Sequence, residues 1–131
     1  RGHAWSLEMG RCAGYHYHWL LFFDGKDSRQ DVVLGRAFGE YWQNVVTEKQ
    51  GRYYNCNADN HHRRGVGMID HWNTEKMTNL KEFVAPYLTK ADYLIRTLVE
   101  DGKTFSHGRV PPRKPQTGRP RTRMPVDAVG Q

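Results

Sequence analysis

Cysteine, long apolar runs and glycine-rich phosphate loops are scarce or missing in this chain of 131 residues. Two cysteines, Cys12 and Cys56, are too few for a disulfide scaffold or a four-thiolate zinc site, and they read as ordinary thiols. The longest apolar run, Trp19 to Phe23, has five residues, far short of the roughly 20 that span a bilayer as a helix. No Walker-type motif occurs, and no period suggests a solenoid. No signal peptide is expected, because Arg1-Gly2-His3 passes at once into alternating polar and apolar residues. The chain opens on Arg1 instead of methionine, so it reads as a fragment with elements upstream. These features exclude large barrel enzymes, membrane-spanning proteins and knottin-like domains. What remains is a soluble domain, with 37% hydrophobic and 26% charged residues.

Charge is unevenly placed. Lys and Arg number 20 against 14 Asp and Glu, a formal net charge of +6. The stretch 109–123, RVPPRKPQTGRPRTR, carries six basic residues and four prolines with no acid, so the remainder is neutral. Such a segment cannot bury enough apolar surface to fold alone. It divides the chain into a folded domain, 1–107, and a basic disordered tail, 108–131. A cationic tail suits a polyanion, nucleic acid above all, through Arg113, Lys114, Arg119, Arg121 and Arg123. A solvated terminus without a partner is the competing explanation.

Within 1–107 the periodicities alternate. HAWSLE (3–8) and YHYHWLLFF (15–23) read as strands joined by a turn near Cys12. Phe38, Tyr41, Trp42, Val45 and Val46 mark an amphipathic helix that Gly51 ends. RYYNCN (52–57) and VGMIDHW (66–72) are expected as two further strands around a polar loop. A last helix starts near Asn73-Thr74, with Leu80, Phe83, Val84, Tyr87 and Leu88 as its stripe; Pro86 should interrupt it, with a second segment over 87–98. The order ββαββα predicts an α+β fold, an antiparallel sheet with flanking helices.

His16-Tyr17-His18 is the sharpest local feature. On a strand both imidazoles share one face while Tyr15, Tyr17 and Trp19 take the other. With the turn near Cys12, Glu8 stands opposite His16 or diagonal to it. Two imidazoles and a carboxylate form a three-ligand set with open positions on a divalent metal. For an HxH alone, packed or surface histidines are the better explanation; the matching parity of Glu8 favours a metal site. In Tyr87-Leu88-Thr89-Lys90, three-residue spacing brings phenol and ammonium together. A core tyrosine explains Tyr87 taken alone, and Lys90 could snorkel to solvent. Alternatively, the ammonium would stabilise phenolate character in a nucleophile. His61-His62 with Arg63 and Arg64 reads as a solvated loop that could touch phosphates, and Asp70-His71 as a structural pair.

Taken together, WSLEMGRCAGYHYHWLLFFDG, RYYNCN, GVGMIDH and YLTKADYLIR resemble the HUH endonuclease superfamily. More narrowly, they are similar to the inovirus-type replication proteins, also described as the YagK/YfjJ C-terminal family. The resemblance covers residues 3–98. It implies an HUH/RRM-like palm, here without the strand that precedes the glutamate-bearing one. It also implies a rolling-circle initiator in the cytoplasm of a bacterial host. Glu8, His16 and His18 would hold Mg²⁺ or Mn²⁺; Tyr87 would attack single-stranded or origin DNA to give a 5′-phosphotyrosyl intermediate, with Lys90 beside it. Tyr93 is six residues on, which departs from the spacing of two-tyrosine initiators. Arg63, Arg64 and the tail would bind DNA. A host helicase or polymerase is the expected partner, and the protein a monomer or weak dimer. A single-tyrosine HUH transposase and a catalytically silent DNA-binding module of the same fold are the alternatives.

Overall fold

A computed structural model of the chain describes residues 2–12, 14–60, 62–90, 102–110 and 112. The predicted second helical segment falls mostly outside these residues, as do His61, Arg113, Lys114, Arg119, Arg121 and Arg123. The architecture is α+β, with a small three-stranded antiparallel sheet and helices. β1 (Gly2–Gly10) and β2 (Gly14–Phe22) form a hairpin in full register, from Gly2 opposite Phe22 to Gly10 opposite Gly14. β3 (Phe105–His107) pairs with β1 over Ala4–Ser6, giving the order β2-β1-β3. That three-residue strand carries no usable periodicity in the sequence. Its partner lies about a hundred positions earlier.

The two faces of the sheet differ because side chains alternate along each strand. One face carries Trp5, Tyr17 and Trp19, and α1 (Asp31–Tyr41) covers it, continued by a π-helical turn at Trp42–Val46. Phe38 lies 5.3 Å from Trp19 and Trp42 lies 5.3 Å from Tyr17, centroid to centroid. Such tilted and edge-to-face pairs are worth about 0.5–1.5 kcal/mol each beyond area burial. Contrary to the sequence expectation, this helix ends before Gly51. Glu48 and Lys49 take positive φ of 50° and 67°, which stops it after the π turn. Tyr41, Val45 and Val46 stay exposed.

The two further strands expected at 52–57 and 66–72 are not formed. The first segment lies against α1: the Tyr53 ring fills the space where Gly39 would carry a Cβ. The Asn55 amide donates to the Val32 carbonyl at 2.9 Å, and a short 3₁₀ turn follows at Cys56–Ala58. In the second segment Gly67 has φ 83°, and Lys76 Nζ donates to the Met68 carbonyl at 2.7 Å. Contacts to helices have replaced strand pairing in both.

Asn73 caps α2 (Thr74–Asn79), accepting the Lys76 backbone N–H at 3.0 Å. A π-helical turn, Leu80–Val84, leads directly into α3 (Ala85–Thr89). Pro86 therefore does not interrupt the helix as expected. It occupies the first turn of α3, where its missing N–H costs least, immediately after the π turn.

The loop between these layers is tied down at Asp31. Its carboxylate accepts from Asn57 Nδ2 at 2.8 Å and faces Arg64 at 3.5 Å. The Asn57 hydrogen bond, backbone N–H groups and the Arg64 charge hold the Asp31 carboxyl below its usual 3.8. A depressed folded-state value stabilises the protein fully above pH 3.8 and is lost as pH falls through that lower value. Replacing Asp31→Asn should lower Tm at neutral pH and flatten the acid limb of a Tm-against-pH curve.

Candidate metal centre

The hairpin register sets the geometry. Glu8 stands directly across from His16, and His18, two residues on, is diagonal to it on the same face. Both imidazoles aim Nε2 at one carboxylate oxygen: His16 at 3.2 Å and His18 at 3.0 Å from Glu8 Oε2. The three donor atoms lie within 4.8 Å of one another. Glu8 is the most enclosed of the three, with 14% of its side chain exposed.

His16 Nδ1 sits 3.2 Å from the Gly14 carbonyl, so that nitrogen carries the hydrogen and donates it. In the neutral ring Nε2 then presents a lone pair to a carboxylate oxygen. Two lone pairs at that distance repel unless a proton or a cation lies between them. A backbone carbonyl that fixes the tautomer is the usual outer support of a metal-ligating histidine. The residues therefore fit a divalent cation with nitrogen and oxygen ligands. Two imidazoles suit Mn²⁺ better than the harder Mg²⁺.

Ser6, the cross-strand partner of His18, is 5% exposed, and its hydroxyl has no hydrogen-bond partner among the described residues. A buried unsatisfied group beside a ligand set is rare in ordinary packing. Spacing gave no hint of it, because a serine in an alternating strand reads as the solvent face.

α3 packs on β1 and brings Tyr87 to the ligand set. Its ring meets His18 edge-on, centroids 4.9 Å apart at 87°. Lys90 follows, its Nζ 6.0 Å from the Tyr87 ring centroid. The predicted stripe divides into two rows. Leu88, 7% exposed, is inward, whereas Tyr87 is 55% and Phe83 41% exposed. Tyr87 thus borders the site with one side open, instead of filling the core. Arg63 lies over the Phe83 ring at 4.4 Å, whereas Arg64 turns away to Asp31.

Other aromatic, histidine and cysteine side chains lie apart. Trp19 and Trp42 pack together on the opposite face of the sheet. Trp72 meets His71 edge-on, and His62 is exposed in its loop. Cys12 and Cys56 are exposed and form no disulfide. An apolar hollow of about 440 Å³ opens at the other end of the hairpin, lined by residues including His3, Phe22 and Phe38. No helix among the described residues is long and apolar enough to cross a membrane.

No protein-family model, curated protein or solved structure matches this chain. The site's chemistry therefore rests on its own geometry.

Proposed function

We propose that the protein is a metal-dependent nickase of single-stranded DNA, acting as a rolling-circle replication initiator through a tyrosine. The observation that carries this reading is the meeting of Tyr87 with His18 at the edge of the Glu8–His16–His18 set. A cation ligand set and an exposed phenol side by side suit phosphoryl transfer. The resemblance of the short sequence motifs to HUH endonucleases agrees with this reading.

Glu8, His16 and His18 would hold the cation, which when bound supplies charge to neutralise a phosphate oxygen. The phenol oxygen of Tyr87 bonds to phosphorus as the P–O3′ bond breaks. The phenol gives up its proton, and the departing 3′ oxygen takes one up to become a free hydroxyl. The product is a 5′-phosphotyrosyl chain whose bond energy allows religation by a later 3′-hydroxyl. Lys90, whose Nζ lies 6.0 Å from the Tyr87 ring centroid, would place a positive charge beside the phosphate. A single-tyrosine transposase would use the same chemistry, and a silent DNA-binding module would keep the fold without it.

The test is incubation of the chain with origin-containing single strands and Mn²⁺, run on a denaturing gel. Cleavage with a protein-linked DNA band is expected. Binding without any linked product would leave the silent module in its place.

A further inference from the structure

The row of side chains beside Tyr87 carries a second piece of chemistry. Phe83 lies four residues before Tyr87 on the same helical face, about 6 Å along the axis. Both rings are substantially exposed, although the sequence pattern assigns them to a buried stripe. The π turn that contains Phe83 is a local departure of a kind frequent at functional sites.

The loop that carries Arg63 is held against this helix by backbone and side-chain contacts. Gly65 is buried, and a Cβ there would come within 2.6 Å of the Leu80 nitrogen, so the chain passes here only as glycine. Next to it the Asn79 amide donates to the Arg64 carbonyl at 3.4 Å, and Arg64 donates to the Asn57 carbonyl at 3.0 Å. Arg64 uses its charge on Asp31. Among the described residues Arg63 and Lys90 have no ion-pair partner. The result is an exposed line running Arg63, Phe83, Tyr87, Lys90, with a cation at each end and aromatic rings between.

We infer that Arg63 and Phe83 form a nucleotide subsite for single-stranded DNA, seating the nucleotides that flank the phosphate presented to Tyr87. The inference rests on the nickase reading for the identity of that phosphate. Single strands are favoured over duplex because their bases are free to stack on a ring. The planar Arg63 guanidinium offers both a stacking surface and a charge for phosphate. Sequence preference is not built into such a platform, since every base has a π-face.

The test uses the full chain carrying Tyr87→Phe, so that binding is measured without chemistry. Fluorescence anisotropy with a labelled twelve-nucleotide oligo-dT gives Kd across a salt series. Phe83→Ala should weaken binding roughly 5- to 150-fold, the range for loss of one base–aromatic stack. Phe83→Leu should weaken it too, and Phe83→Trp should restore it, which a packing role alone would not require. Arg63→Ala should lower the slope of log affinity against log salt by about 0.7. Tyr41→Ala, on α1 across the sheet, is the control and should change neither. Unchanged affinity and slope in the Phe83 and Arg63 variants, or a duplex bound as well as the single strand, would overturn the subsite even if a Tyr87 adduct forms. A Phe83-dependent Kd with no adduct in the parent chain would uphold the subsite and remove the nickase reading instead.

Discussion

Replacing Tyr87→Phe should abolish strand cleavage and the covalent protein–DNA product while leaving the fold and cation binding intact. The substitution removes one oxygen and keeps the ring, so the edge contact to His18, 4.9 Å between centroids, persists. A phenol is a poor nucleophile at its reference pKa near 10, and no other group at this position could take over the attack. Loss of a nucleophile costs several orders of magnitude in rate, so cleavage should fall to background. Lys90→Ala should slow cleavage and leave the point of attachment unchanged, since Lys90 acts beside the ring and does not attack. Mass spectrometry of the peptide that retains a nucleotide after nuclease digestion locates the adduct. Attachment at Tyr93, or at exposed Tyr15 or Tyr17 on the opposite face, would overturn the assignment.

Saturating Mn²⁺ should raise Tm by an amount that disappears in the double variant His16→Ala with His18→Ala. A ligand that binds only the folded state stabilises it by about 2.7 kcal/mol at a hundred times Kd, on the order of 10 °C for a domain of this size. The double variant leaves one carboxylate where three donors met within 4.8 Å, which removes the site. Without metal its effect on Tm should be small, because both imidazoles are partly exposed and their contacts to Glu8 are lost together. Glu8→Gln keeps the size of the side chain and removes its charge, and should weaken the Mn²⁺ response as well. A metal-induced shift that survives in the double variant would place the ions elsewhere, with the loop around His62 the first alternative.

The clustering of Glu8, His16 and His18 was legible because it depends on one hairpin alone. Period-two alternation puts His16 and His18 on one face, and a turn centred near Cys12 brings Glu8 opposite His16. The existence of the helix after the hairpin was legible for the same reason, since its spacing is local, and so was the helix start near Asn73-Thr74. Its end was not: positive φ at Glu48 and Lys49 carries no sequence signature as strong as a glycine.

The rest depended on partners outside each segment's own pattern. RYYNCN and VGMIDHW have strand-like composition, yet Tyr53 found Gly39 and Lys76 found the Met68 carbonyl, so helix contacts took the groups a ladder would have used. β3 exists because residues 105–107 reach the free edge of β1, which no local pattern announces. The stripe of the last helix was correct in spacing and incomplete in meaning. Periodicity says which residues share a side of a helix, and the neighbouring surface decides which of them it covers. Leu88 is covered while Phe83 and Tyr87 stay open, one beneath Arg63 and the other beside His18. Sequence alone determined the chemistry available, two imidazoles, a carboxylate and a phenol, because residue type and short-range period are local properties. Tertiary structure decided that the phenol meets the other three, because helix docking and loop closure depend on contacts that only the folded chain can make.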